Sequence, residues 1–199
     1  MLTVNSDRDV VERQLAGGEL ACPLCSGVLG GWGWARLRRV RVAEGPDVVL
    51  VPRRSRCCGC GATHVLVPAW CLLRRADAAA VIGVALEAAA AGDGHRRIAG
   101  VLGRAASTVR GWLRRFAGRA EAVRVFFTVL LARTGLDPVM PAGAAGLVAA
   151  AVSAVTGSAV AAAGRWPLLG QVPVWAAASA ASGGRLLAPG WPGGDRNTS

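Results

Sequence analysis

Two C-x-x-C pairs, Cys22-Pro-Leu-Cys25 and Cys57-Cys58-Gly-Cys60, constrain this 199-residue chain more than any other feature. Such a turn aims two thiolates at one ion about 2.3 Å away, and two turns together complete a four-sulfur tetrahedral site. The 31 residues between Cys25 and Cys57 must therefore fold back on themselves, and a β-hairpin does so economically. The expected ligands are Cys22, Cys25, Cys57 and Cys60 around one structural Zn2+ per chain. Cys58 competes with Cys57 as a ligand through a tighter C-x-C bite. Cys71 stands alone on a connecting segment and reads as a buried, unligated thiol. His64, in an apolar strand, is a surface or hydrogen-bonded histidine before it is a fifth ligand. A redox C-x-x-C would call for a thioredoxin-like setting that this sequence does not display.

Between the pairs, Trp34 to Val42 alternates in part between apolar residues and Arg. Glu44-Gly-Pro-Asp47 then makes a turn, and Val48 to Val51 runs apolar. Gly61 to Val67 supplies a third strand. Residues 20–70 thus resemble a zinc ribbon, two knuckles joined by a small three-stranded sheet, with the metal standing in for a core that fifty residues cannot build alone.

Charge points to a partner. The formal net charge is +11, and every one of the 23 basic residues is Arg. Nine arginines oppose two acids between residues 21 and 75, and seven oppose three between 76 and 120. A balance of that kind suits a polyanion, either nucleic acid or an acidic surface, and says nothing about fold. Residues 1–19 carry four acids and no apolar run, unlike a secretory signal, so the expectation is a cytoplasmic chain.

From Ala76 the text becomes helical. Ala76 to Ala91 is helix-forming almost throughout and closes at Gly92-Asp-Gly94; His95 to Leu102 follows, then a turn at Gly103, then Ala106 to Phe116. That is helix-turn-helix spacing, with Gly103 free to take the left-handed conformation of a tight turn. Val109, Trp112, Leu113 and Phe116 recur at i, i+3, i+4 and i+7 as a buried stripe. The opposite face is left with Ser107, Arg110, Arg114 and Arg115. A helix of this kind lies in the DNA major groove, where Arg makes a bidentate bond to guanine. The expected base contacts are Ser107, Arg110 and Arg114. Arg96, Arg97, Arg104, Arg115 and Arg119 are the expected backbone contacts, which position without specifying.

The strings Val65-Leu-Val-Pro-Ala-Trp-Cys-Leu-Leu-Arg-Arg-Ala-Asp-Ala78, Gly94-His-Arg-Arg-Ile-Ala99 and Ser107-Thr-Val-Arg-Gly-Trp-Leu-Arg-Arg-Phe116 carry a resemblance. Residues 20–118 resemble an uncharacterised family of small zinc-ribbon plus helix-turn-helix proteins from high-GC bacteria, often encoded beside insertion-sequence integrase or transposase genes. The resemblance implies a DNA-binding accessory or regulator of a mobile element, and a transposase or integrase as a partner. Arg104 departs from such motifs, which carry an apolar residue just after the turn glycine.

Arg119 to Arg133 reads as a further helix that is apolar on two sides, hence buried or partnered. Leu136 to Pro141 breaks it, and 142–164 is an uncharged run of Ala, Gly, Val, Ser and Thr. It is long enough to cross a bilayer yet poor in the residues that drive insertion, which favours a buried or dimer-forming helix over a membrane span. Gln171 to Ser182 is one more short helix, and 183–199 a flexible tail. The expected organisation is an N-terminal segment (1–19), zinc ribbon (20–70), helix-turn-helix domain (74–118), helical segment (119–182) and tail (183–199), an α+β and mostly α chain. No pair of acids is spaced to seat two catalytic metals, so a non-enzymatic role in binding double-stranded DNA is expected. The competing expectation is a protein-binding or membrane-tethered adaptor that uses the ribbon and the C-terminal helices.

Overall fold

The computed structural model describes residues 1–133, 146–165 and 172–193. The break expected at Leu136 to Pro141 and the last six residues of the tail lie outside the described residues. Among those described, the chain is α+β, with seven helices and two small sheets.

The ribbon is larger than expected. Its sheet has four strands, β1 (Leu2–Val4), β2 (Leu29–Trp34), β5 (Arg53–Cys57) and β6 (Thr63–Pro68), in the order β1-β6-β5-β2. β1 runs parallel to β6, with Leu2 opposite Leu66, and the other pairings are antiparallel. Neither β2 nor β5 announces itself by composition. Leu-Gly-Gly-Trp-Gly-Trp is rich in a residue that strands avoid, and Arg-Arg-Ser-Arg-Cys has no apolar alternation. Position makes them strands, because each knuckle must be flanked by chain that pairs across the site. Residues 1–19, expected as a separate segment, belong to this unit. Helix α1 (Arg8–Ala16), capped by the Asp7 carboxylate on the N–H groups of Asp9 and Val10, follows β1. It turns Val11 and Leu15 onto Leu29, Leu66, Cys22 and Cys57.

The expected hairpin forms, with β3 (Arg38–Val40) against β4 (Val48–Leu50), as a sheet of its own. Its far end leans on the helical unit: the Arg41 N–H donates to the Ala76 carbonyl, and the Ala78 N–H donates to that of Arg41. Val40 is completely buried in the main core with residues of the helices.

That core is built by α2 (Ala79–Ala90), α3 (His95–Leu102), α4 (Ala106–Ala117), α5 (Ala120–Arg133), α6 (Leu147–Arg165) and α7 (Val174–Ala181). Ile82 and Leu86 of α2, Ile98 of α3, the Val109, Trp112 and Phe116 stripe of α4, and Val123 and Phe127 of α5 are buried together. Gly103 has φ +60°, and the N–H of Arg104 reaches back to the Ala99 carbonyl at 3.0 Å, so α3 ends in a left-handed cap. Helix α6 packs against α5, α7 and α2, burying Ala151, Val152, Ala154 and Val155. No helix among the described residues is long and apolar enough to cross a membrane. Helix α7 meets α2 at Gly83, where a Cβ would lie 2.1 Å from Trp175 Cγ; the indole N–H then donates to Glu87 at 2.8 Å.

Residues 183–193 correct the flexible-tail expectation. Leu186, Leu187 and Trp191 are buried, and Phe126, Phe127 and Trp191 meet edge-to-face at centroid distances of 5.0–6.2 Å. The glycines and prolines of this stretch suggest a loose end, but its three large apolar side chains have a core to enter.

Candidate metal centre and basic helix face

The two knuckles are near copies of one another. Pro23-Leu24 and Cys58-Gly59 occupy their centres, and a left-handed residue follows each second cysteine: Ser26 at φ +59° after Cys25, and Gly61 at φ +71° after Cys60. The Ser26 N–H donates to the Cys22 carbonyl at 2.9 Å, and the Gly61 N–H to that of Cys57 at 3.1 Å. The chain then closes each loop, with the Cys22 N–H on Gly27 (2.7 Å) and the Cys57 N–H on Ala62 (2.9 Å). Within each knuckle an N–H two residues on points at the first sulfur, Leu24 to Cys22 at 3.5 Å and Gly59 to Cys57 at 3.3 Å. Gly27 is required by closeness: a Cβ there would lie 3.0 Å from Cys57 Sγ and 3.4 Å from Cys25 Sγ.

The sulfurs of Cys22, Cys25, Cys57 and Cys60 all lie within 4.8 Å of one another. Sulfurs about 2.3 Å from a tetrahedral ion sit roughly 3.8 Å apart. Cys22 to Cys60 measures 3.8 Å and Cys25 to Cys57 measures 3.4 Å. Donor chemistry and spacing both fit one tetrahedral metal ion.

The thiols divide the charge unequally. Cys57 is drawn down to about 6, first by the Cys60 N–H, against desolvation, with Cys25 and the Gly59 N–H helping. Cys25 is pushed up to about 12: the Gly27 N–H works downward, but the neighbouring thiols of Cys57 and Cys60, together with burial, outweigh it. Backbone N–H donors of the second knuckle thus favour a thiolate on Cys57, and the sulfurs beside Cys25 disfavour a second negative charge there.

Of the competing residues, Cys58 is exposed and outside the cluster, so the C-x-C alternative falls away. Cys71 is buried among apolar residues, which pushes its thiol up to about 11. His64 is buried with Nε2 3.4 Å from Cys22 Sγ, a hydrogen-bonding neighbour of a candidate ligand. Burial pushes its pKa down, and the nearby N-terminal amine adds to the shift. Its alternation with Val65 placed it in a strand; that it would meet Cys22 depends on the pairing of Ser55 with His64, which sequence does not reveal.

On α4, Ser107, Arg110 and Arg114 are all exposed on one side, with the buried stripe behind them, and Arg96, Arg97 and Arg115 are exposed nearby. Arg97 lies 3.4 Å from Asp93, and Arg115 donates to the Gly111 carbonyl one turn back. Two of the expected backbone contacts are engaged inside the chain instead. Arg104 Nε binds Asp77 Oδ1 at 2.7 Å and Nη2 donates to the Val42 carbonyl at 3.0 Å, leaving its side chain 15% exposed. Arg119 donates to the carbonyls of Ala188 and Trp191. Neither side chain is free to meet a phosphate in this arrangement.

Asp77 was not singled out in the sequence, and it joins the two halves. Buried to 2% exposure, it takes Arg41 of the hairpin on Oδ2 at 2.6 Å and Arg104 of the α3–α4 turn on Oδ1. Arg104, anomalous as a polar residue after the turn glycine, is the clue that could have found it. No protein family, curated protein or solved structure was found that matches the chain.

Proposed function

We propose that this chain is a sequence-specific, double-stranded-DNA-binding protein with one structural zinc. In this reading α3 and α4 form a helix-turn-helix and α4 enters the major groove. Ser107, Arg110 and Arg114 meet base edges, and Arg96, Arg97 and Arg115 meet phosphates. The observation that carries it is the split of α4 into a buried stripe and an exposed face bearing Ser107, Arg110, Arg114 and Arg115, shortly after a left-handed turn at Gly103. Zinc is the metal of choice because four thiolates in a closed tetrahedron suit it and leave no open position for catalysis. The role is non-enzymatic, and the family resemblance favours a transposition-associated accessory factor or a transcriptional regulator in the cytoplasm, partnered by a transposase or integrase.

A second reading has an observation of its own. Along α5, Ala122, Val125, Phe126, Val129 and Leu130 line an open groove of about 530 Å³ with Pro192 and Gly193, and Val125 and Val129 are nearly half exposed. Such a face suits a protein partner or a second copy of the chain, so an adaptor role or a homodimer through the C-terminal helices competes with a monomeric DNA reader.

Salt titration of duplex binding separates the two. Each phosphate neutralised contributes roughly −0.9 to the slope of log affinity against log salt, so three to six contacts give a slope of about −3 to −5. A salt-independent affinity, or none at all from folded, zinc-loaded protein, would overturn the DNA reading.

A further inference from the structure

We infer that the exposed side of the ribbon, around Trp32 and Arg56, is a second nucleic-acid surface that stacks an unpaired base of single-stranded DNA. The observations lie away from α4. β2 pairs with β5 in two registers, with a bulge between Gly31 and Gly33. Trp32 is the residue the bulge leaves without a partner, and bulges re-aim the side chain they carry. Its ring is directed outward and stays 52% exposed, forgoing the favourable burial of a large aromatic side chain. The Arg56 guanidinium lies 4.7 Å from the ring centroid.

Beside this pair is an open hollow of about 610 Å³, lined by Gly30, Gly31, Gly59 and Gly61 and by the second knuckle. Its volume falls within the roughly 300–1,000 Å³ of small-ligand sites. Space is open over Gly30, where a Cβ would meet nothing within 4 Å, whereas at Gly31 the Arg53 guanidinium already fills that place. The hollow's lining contains Arg56 and no carboxylate, with the Cys57 and Cys60 sulfurs of the candidate metal site along one border. An aromatic ring, a guanidinium and the open space over Gly30 together fit a base on the ring and a phosphate on the cation. Four thiolates around a divalent ion leave the knuckle anionic, which favours the neutral base on that side and the phosphate on the Arg56 side. The next ring along the strand does not repeat the pattern: Trp34 is 43% exposed, but Arg8 at 4.3 Å and Arg53 at 4.8 Å lie over it, and Arg53 is held by Glu12 and the Gly33 carbonyl.

A duplex keeps its bases stacked on each other, so a ring can take only a base that is unpaired. The commitment to DNA over RNA rests on the duplex-binding reading of α4; the stacking surface itself does not.

The test is fluorescence anisotropy of the full, zinc-loaded chain with labelled dT12, an abasic 12-mer, rU12 and a duplex. Stacking of one base is worth about 5- to 150-fold in affinity. Wild type should therefore prefer dT12 over the abasic strand by at least about fivefold. Trp32→Ala should lose that preference and Trp32→Phe should keep most of it. Zinc content measured on each variant reports folding, and Arg56→Gln, at an exposed position, is a second variant expected to weaken dT12. Arg110→Ala should weaken a cognate duplex by about 5- to 150-fold and keep the preference for bases over abasic strand, so failure of the α4 reading and failure of this one are separable. Equal affinity for dT12 and the abasic strand, or an unchanged preference in a zinc-loaded Trp32→Ala, would overturn the inference. Much tighter binding of rU12 than dT12 would overturn the choice of DNA.

Discussion

Asp77 accepts hydrogen bonds from two arginines that come from different parts of the chain, and almost none of it reaches water. A buried carboxylate is costly unless fully paired, and here each oxygen has its own guanidinium. Removing it strands Arg104 next to the Val42 carbonyl with an uncompensated charge, whereas Arg41, 40% exposed, can relax toward solvent. Asp77→Ala should therefore cost about 2–3 kcal/mol, below the roughly 3–5 kcal/mol of a fully buried pair. Urea denaturation checks this, and a loss under about 0.5 kcal/mol would mean the contact is ornamental. On α4, Arg110→Ala should weaken a cognate duplex by about 1–3 kcal/mol in a binding titration while leaving thermal stability nearly intact, because the side chain is exposed. This is the scale at which the sequence was most legible. C-x-x-C spacing named all four cysteines of the cluster, and helical periodicity separated Val109, Trp112 and Phe116 from Ser107, Arg110 and Arg114. It failed for Arg104 and Arg119, since charge alone does not tell whether an arginine faces a phosphate or a carbonyl of its own chain.

Among the elements, the ribbon and the helices draw stability from different sources. The ribbon's own cluster holds six buried residues, two of them cysteines of the metal centre, whereas the helical core runs from Val40 to Trp191. Metal removal by a strong chelator under reducing conditions should accordingly release hydrogen-exchange protection in β2, β5 and β6, while α2 to α7 keep most of their protection and helical circular dichroism. Loss of both together would show that the ribbon is needed to hold the helices. Zinc binding near pH 7 should also release protons: metal-free Cys57 holds its charge down to about 6, but Cys25 keeps its proton up to about 12. Apparent affinity then rises with pH, and calorimetry in buffers of different ionisation enthalpy measures the protons released. The hairpin β3–β4 and helices α3 to α5 were readable from apolar spacing and from punctuation at Gly45-Pro46, Gly92-Asp-Gly94 and Gly103. β1, β2 and β5 were not, because their conformation comes from pairing across the knuckles and not from their own residues.

At the scale of the whole molecule, the chain doubles back to close its core. Residues after α7 return past the connection before α2, where the Leu73 N–H donates to the Gly184 carbonyl and Arg75 donates to that of Leu187. Trp191 then seals α5 against Phe126 and Phe127. Trp191→Ala should destabilise the fold by about 2–4 kcal/mol, read as a lowered melting temperature; a freely moving tail would give no change. A glycine- and proline-rich ending hid this closure, since its local text is that of a loop and only three large apolar residues mark the contact. With Asp77 tying hairpin to turn and the returning segment tying the ends of the helical unit, ribbon and helices present their arginines from one connected body. The central claim is that α4 reads DNA sequence from that body, and it is tested most directly by selecting bound sequences from a random duplex library at moderate salt with wild type and Arg110→Ala side by side. An enriched motif that disappears or loses a position in the variant is the expected result. The same motif from both proteins, or no enrichment by folded, metal-loaded wild type, would contradict it.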